Sequence, residues 1–211
     1  MAAQYGAHEV MELHEVLTDA IDGINQFELY KPHVTDQQLS SMIDKHINFM
    51  TNEYNMMVQA LNQQGMAEAR PYRAPITSQP IYGLNNPAPQ SPHTATGKLN
   101  DRDIASGMLG CHKSSAIMKS MAALECADLN LRRMVQQGSI NCSEMAYEVW
   151  QYMNQNGYYQ VPTMKQMTTN TMINTYTPAN MGPMNNMNQM GDMDNTNKGI
   201  LNLGMDLSYN Q

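Results

Sequence analysis

The chain has 211 residues, of which only 15% are charged, and its formal net charge is −7 at pH 7. It has no basic stripe and no apolar run of membrane-spanning length, which argues against nucleic-acid binding and membrane insertion. Much of the usual surface charge is replaced by Asn, Gln, Ser and Thr, and 22 methionines are present. This composition suits a protein that works at high density against copies of itself.

Residues 1–65 predict a helical hairpin. Apolar side chains recur at helical spacing between Val10 and Phe27, which indicates a helix over residues 8–30, ended by Lys31-Pro32. Thr35-Asp36 can cap a second helix over residues 37–63.

Residues 66–99 form a proline-rich connection that cannot be helical throughout. A connection this long within a compact domain needs an explanation. In a four-helix bundle, one long crossover can join two antiparallel hairpins. We therefore predict an all-α fold, a four-helix bundle made of two antiparallel hairpins with a long crossover and an extended C-terminal tail.

Residues 100–161 predict the second hairpin of the same bundle. The pattern indicates a helix over residues 103–137, a turn at Gly138, and a helix to about residue 156. We expect Glu125 and Asp128 to lie in a buried or half-buried polar network with an arginine or a histidine. The apolar face predicted for the first of these helices comprises Ile117, Met118, Met121, Leu124, Leu131 and Val135.

The tail, residues 162–211, is rich in Met and Asn. The Thr-rich stretch from Thr168 to Tyr176 favours a strand. A second strand is indicated by alternating apolar residues, which we take as candidate assembly residues: Leu201, Leu203, Met205, Leu207 and Tyr209. Two interpretations stay open, namely docking on a neighbouring subunit and a tail that is disordered or folded on its own bundle.

Three cysteines, Cys111, Cys126 and Cys142, occur without a CxxC pair, which argues against a zinc site. Cys111 and Cys126 lie about four turns apart on one predicted helix and cannot bond to each other. The cysteines are either buried, inert thiols or candidates for a disulfide between chains.

A di-metal centre in a four-helix bundle uses Glu-x-x-His motifs, and the sequence contains none. Weak candidates for metal ligands remain, and the first three of them also fit a solvated acidic face: His8, Glu12, Glu15, His46 and Glu53. No nucleophile motif or phosphate-binding loop is present. We predict no cofactor and no enzymatic activity.

The 101–162 stretch resembles the coat F domain of bacterial spore coat proteins. The resemblance rests on Met108-Leu109, Lys113, Ala123-Leu124-Glu125, Leu131-Arg132 and the closing Gly157-Tyr158-Tyr159 with Pro162. It implies a ferritin-like helical bundle and a structural role in the spore coat, with no established catalytic activity.

From this resemblance we expect a structural protein of the spore coat or spore surface that assembles with copies of itself, or with other coat proteins, through its tail and crossover. The alternative is a metal-binding ferritin-like protein. The N-terminus shows no secretory signal, so we expect synthesis in the cytoplasm of the sporulating cell.

Overall fold

A computed structural model describes residues 5–62 and 69–179, apart from the side chain of Thr96. These residues contain five α-helices: α1 (Ala7–Tyr30), α2 (Gln37–Leu61), α3 (Asp101–Glu125), α4 (Leu129–Gln155) and α5 (Gln166–Ile173). Short 3-10 turns lie at Lys31–His33 and Thr96–Lys98. Within the described ranges there is no strand, and isolated bridges join Tyr82 and Gly83 to Val161. The predicted all-α class is confirmed.

The chain divides into two compact units, residues 1–163 and 164–211. In the first unit, α1 packs against α2 and α3, and α4 packs against the same two helices. In the second unit, the described part consists of α5 and its flanking residues, and α5 buries none of its side chains.

Side-chain caps explain where α2 and α3 begin. Asp36 accepts a hydrogen bond from the Leu39 amide at 2.9 Å, and Asn100 accepts from the amides of Arg102 and Asp103. Such caps satisfy amide groups that have no partner inside the helix. The Asp101 carboxylate also accepts from the Thr35 amide at 2.8 Å, so the starts of α2 and α3 are tied together.

The predicted turn at Gly138 is wrong, because the break between α3 and α4 lies at residues 126–128. Cys126 is extended, and Asp128 caps α4 by accepting hydrogen bonds from the amides of Asn130 and Leu131, both at 2.9 Å. Gly138 is helical. A Cβ atom built on Gly138 lies 3.1 Å from Lys119 Cδ, so this glycine serves close packing.

The position of this break also overturns the predicted inner face of α3. Ile117, Met121 and Leu124 are each more than 60% exposed, whereas Ala122 and Ala123 are buried. Glu125 is exposed, and Asp128 is an exposed cap rather than a member of a buried network. The prediction failed because it extended one helical period across two separate helices.

The strand predicted over Thr168–Tyr176 is also wrong, because most of it is helical in α5. Thr169 and Thr171 donate their hydroxyl groups to backbone carbonyls one turn earlier, as in the bond from Thr171 Oγ1 to Met167 O at 2.9 Å, so the helix accommodates them. The strand predicted over residues 201–209 lies outside the described residues.

The core of the first unit has two apolar clusters. One includes Phe27, Ile43, Met108 and Val149, and the other includes Leu13, Val16, Met57 and Val135. Buried polar residues lie between the clusters, since His112, Ser115 and Lys119 separate Met108 from Ala122 along α3. The candidate functional site is this polar layer.

Candidate functional site: a buried polar layer

Three helices each place two buried polar side chains seven residues apart. The pairs are His46 and Glu53 on α2, His112 and Lys119 on α3, and Asn141 and Glu148 on α4. Seven residues are close to two helical turns, so both members of each pair lie on the same face of their helix. The three faces meet in the interior and form two connected halves.

The first half is built on an ion pair between α2 and α3. Lys119 Nζ lies 2.5 Å from Glu53 Oε2. Asn141 Nδ2 donates to Glu53 Oε1 at 2.7 Å, and Lys119 Nζ also lies 3.4 Å from Cys142 Sγ. A buried carboxylate is costly unless it is both paired and hydrogen-bonded, and Glu53 has both kinds of partner.

The electrostatics of Lys119 favour its charged form. Burial acts to lower the pKa of Lys119, but its contacts with Cys142 and Glu53 outweigh burial and raise the pKa above its ordinary value. An ammonium group therefore supplies the positive charge in this half of the layer.

The second half is built on Glu148. Its carboxylate accepts hydrogen bonds from Lys45 Nζ and Tyr72 Oη, and His46 Nε2 lies 3.3 Å from Glu148 Oε2. His112 Nε2 lies 3.0 Å from His46 Nδ1. The tautomers that satisfy this chain have His112 Nε2–H donating to His46 and His46 Nε2–H donating to Glu148.

The surroundings of Glu148, His46 and His112 lower the pKa of all three groups. Burial acts to raise the pKa of Glu148, but hydrogen bonds from His46, Lys45 and Tyr72 lower it to about 2. Burial lowers the pKa of His46, and burial together with the nearby His46 and Lys119 holds the pKa of His112 well below its usual range. The stable arrangement at neutral pH is an ionised Glu148 and two neutral imidazoles.

The polar layer continues outward into a row of α4 side chains that hold the crossover. Asn141 Oδ1 accepts from the Tyr72 amide at 2.8 Å, and Glu144 Oε2 accepts from the Ala74 amide at 2.9 Å. Gln151 Oε1 accepts from the Thr77 amide at 3.0 Å.

Beyond Gln151, the row extends to the end of α4. Asn154 Oδ1 accepts from the Ile81 amide at 2.7 Å, while its Nδ2 donates to Ile81 O at 3.0 Å. Between Tyr72 and Ile81 the crossover thus runs along α4, and four of its main-chain amides donate to α4 side chains.

The weak metal candidates fall into two separate places. His8 and Glu15 are exposed, Glu12 is half-buried, and His8 Nδ1 lies 4.0 Å from Glu125 Oε2. His46 and Glu53 are buried and already bonded to Glu148 and Lys119, respectively. Among the described residues, no group of three or more His, Cys, Asp or Glu side chains is placed to hold a metal ion.

Sequence reasoning missed most of the layer, including His112, Lys119, Asn141, Glu148 and Tyr72. The signal that could have found it is the repeated spacing of seven between polar residues on three neighbouring helices.

The three cysteines are free thiols. Cys126 and Cys142 are buried, and Cys111 is half-buried. Burial raises the pKa of Cys126 and of Cys142 to about 11, so both are neutral thiols at pH 7. A disulfide between chains stays a prediction.

Across the described helices, none combines the length and the hydrophobicity required to cross a bilayer.

The fold and the polar layer define a helical protein whose buried polar side chains form hydrogen bonds and an ion pair with one another. Residues 100–162 match the family model of the Coat F domain. The resemblance drawn from the sequence is thereby confirmed for these residues.

Similar proteins extend this likeness beyond the domain. The spore coat protein F-like protein YhcQ of Bacillus subtilis (strain 168) is 29% identical over 176 residues, which cover 82% of this chain and 81% of YhcQ. A crystal structure of a protein from Bacillus halodurans C-125 has a TM-score of 0.57 at 16% identity. The match covers 78% of this chain and 97% of that chain, and it supports the fold alone.

Proposed function

We propose that this chain is a structural protein of the spore coat or spore surface, without enzymatic activity, that assembles with copies of itself. The observation that carries the proposal is the Coat F domain at residues 100–162, together with a spore coat F-like relative that aligns over 82% of the chain. Other coat proteins are further candidate partners.

The proposed architecture is a ferritin-like bundle of α1 to α4, with the crossover 66–99 joining its two hairpins. Three observations support it: the four helices are long, each packs against two others, and the crossover is held along α4 from Tyr72 to Ile81. The structural match to the Bacillus halodurans protein is consistent with this fold.

The filling of the interior supports a structural role. Lys119 puts a fixed ammonium group beside Glu53, where a metal-binding bundle would need its carboxylate free to bind a cation. His46 is likewise bonded to Glu148 and His112. The arrangement therefore does not support the alternative of a metal-binding protein, and its hydrogen bonds favour a rigid, closed interior.

Self-association is supported by exposed apolar side chains on the first unit. Ile117, Met121 and Leu124 form an exposed stripe at helical spacing on α3. Contiguous exposed apolar surface of this kind marks interaction sites in many proteins. We further propose contacts through the tail, residues 162–211, and through the crossover.

Location is tested by imaging a fluorescent fusion of the full chain in sporulating cells of a Bacillus host. We expect the signal to collect as a ring around the developing spore and to stay with purified spores, whereas the fluorescent protein alone stays diffuse. A fusion that is diffuse in the cell and absent from purified spores would contradict the proposal.

Assembly is tested by size-exclusion chromatography with light scattering and electron microscopy of the full chain. The matched variants are Leu203→Asn with Leu207→Asn, which remove two apolar side chains from the tail, and Asn202→Ser as control. We expect oligomers from the full chain and the control and smaller species from the double variant. A monomer at all concentrations for the full chain would overturn self-assembly.

A further inference from the structure

A pocket lies at one end of the first unit, where α4 gives way to the chain that leaves it. Its cavity volume is about 530 Å³, which is within the range of small-molecule pockets. Its walls are mainly apolar and aromatic, and include Leu84, Pro87, Tyr158, Tyr159 and Pro162. Arg102, from the first turn of α3, also lines it.

The walls of the pocket are fixed by specific contacts. Gly157 adopts a φ of +70°, in the region that favours glycine, and turns the chain so that the Tyr158 amide bonds to Met153 O at 2.8 Å. Gln160 and Asn85 are joined by two hydrogen bonds, from the Asn85 amide to Gln160 Oε1 at 2.6 Å and from Gln160 Nε2 to Asn85 O at 3.1 Å. These contacts position Tyr158 and hold the chain after α4 against the crossover at Asn85.

The lining of this pocket contains a cationic side chain, although the whole chain is acidic. Among the described lining residues, Arg102 carries the charge. The neighbouring carboxylates of Asp101 and Asp103 do not line the pocket, and they contact Thr35 and, at 3.1 Å, His93. Lys113 Nζ lies 5.2 Å from the centre of the Tyr159 ring and adds a second positive charge nearby.

We propose that this pocket binds a carboxylate attached to an apolar or planar group. A guanidinium group binds carboxylates in a bidentate manner, and Tyr158 and Tyr159 offer aromatic surface for the body of the ligand. The carboxylate comes either from a free organic acid or from an acidic residue of a peptide, because both present the same chemistry. This site is independent of the proposed structural role.

The test uses the full chain and two pairs of ligands, each an acid with its neutral match. Benzoate and benzamide represent free acids, and acetyl-Phe-Asp-amide and acetyl-Phe-Asn-amide represent peptides. Binding is followed by calorimetry and by NMR shifts of the tyrosines. We expect at least one acid to bind about 10-fold tighter than its neutral match, as one charge-assisted bidentate contact supports.

Arg102→Gln should remove this preference, whereas Arg133→Gln, at an exposed position on α4, should keep it. Arg102→Lys retains the charge without the bidentate geometry and should give an intermediate preference, which serves as the test if Arg102→Gln does not fold. A preference shown by the benzoate pair identifies free acids as ligands, and a preference confined to the peptide pair identifies peptides. Equal affinities for acids and neutral matches, or a preference that survives in both Arg102 variants, would overturn the proposal.

Discussion

Lys119 Nζ lies 2.5 Å from Glu53 Oε2 inside the helical body, where the two side chains are only 6% and 8% exposed. The pair joins α3 to α2, and Gly138 of α4 leaves the space that the lysine stem occupies. A buried pair of this kind is not in itself strongly stabilising, but breaking it by removing one partner is costly because the other charge stays buried.

The first prediction concerns the loss of the ammonium group. Lys119→Met leaves the Glu53 carboxylate buried without its counter-charge and should lower the free energy of unfolding by about 3–5 kcal/mol. Chemical denaturation followed by circular dichroism measures the change. Lys98→Met, at an exposed position, is the control and should alter stability by less than about 0.5 kcal/mol. Equal effects of the two substitutions would show that Lys119 has no special role.

The second prediction compares two glycines inside helices. At Gly110, an added Cβ meets no atom within 4 Å, so Gly110→Ala should stabilise the protein by about 0.5–1 kcal/mol. At Gly138, an added Cβ lies 3.1 Å from Lys119 Cδ, and the lysine is held in place by Glu53. Gly138→Ala should therefore be destabilising.

Thermal unfolding of the two variants and the parent shows directly whether each substitution stabilises or destabilises the protein. If Lys119 is the cause, Gly138→Ala should become neutral or stabilising in the Lys119→Ala background, which has no atom at the δ position. A stabilising Gly138→Ala in the parent chain would contradict the close packing at this site.

The third prediction concerns the row of side chains that holds the crossover. Asn154→Ala removes the acceptor of the Ile81 amide and the donor to Ile81 O. Each unsatisfied group costs about 1–3 kcal/mol if it stays buried, so the crossover should open locally. Hydrogen exchange should show faster exchange at Ile81 while α2 and α3 remain protected. Asn130→Ala, at an exposed position of α4, should leave the Ile81 amide unchanged.

The fourth prediction is a loss of stability in mild acid. The pKa values of His46 and His112 are lowered in the folded chain, so the unfolded chain binds more protons below its ordinary histidine pKa of about 6.5. Stability should therefore be full above about pH 6.5 and fall as the pH decreases, by about 1.4 kcal/mol per pH unit for each buried imidazole that stays neutral. Denaturation between pH 7.5 and 5 measures the slope.

His112→Leu should be less stable at pH 7.5, because His46 Nδ1 loses its donor, but it should show a smaller pH slope than the parent. His8→Asn, which changes an exposed histidine, should keep the parent slope. An unchanged slope in His112→Leu would assign the acid sensitivity to other groups.

Local signals in the sequence predicted the ends of α1 and the start of α2 well, because Lys31-Pro32 and the Asp36 cap act on their own neighbours. The sequence pattern does not predict the break at residues 126–128, because Asp128, which caps α4, also fits the core-facing positions of one long helix. Gly138 resembles a helix end in the sequence, but it lies inside α4. Its lack of a side chain leaves the space that Lys119 of α3 occupies.

The polar layer was harder to predict for the same reason. The residue types and spacing of His46 and Glu53 mark them as candidates in the sequence. Their partners Glu148 and Lys119 lie on other helices, 102 and 66 residues away along the chain. Nothing local distinguishes a buried lysine that pairs with a carboxylate from one on the surface. The exposed stripe of Ile117, Met121 and Leu124 shows that apolar side chains at helical spacing can also lie on the surface.

The most direct test of the central claim, that a self-paired polar layer closes the interior, is a double-mutant cycle on Glu53 and Lys119. The variants are Glu53→Gln, Lys119→Met and both together, with the free energy of unfolding measured at pH 7.5. The account predicts a coupling energy of at least about 2 kcal/mol, with the double variant more stable than Lys119→Met alone. Additive effects, within about 0.5 kcal/mol, would contradict the ion pair and with it the closed interior.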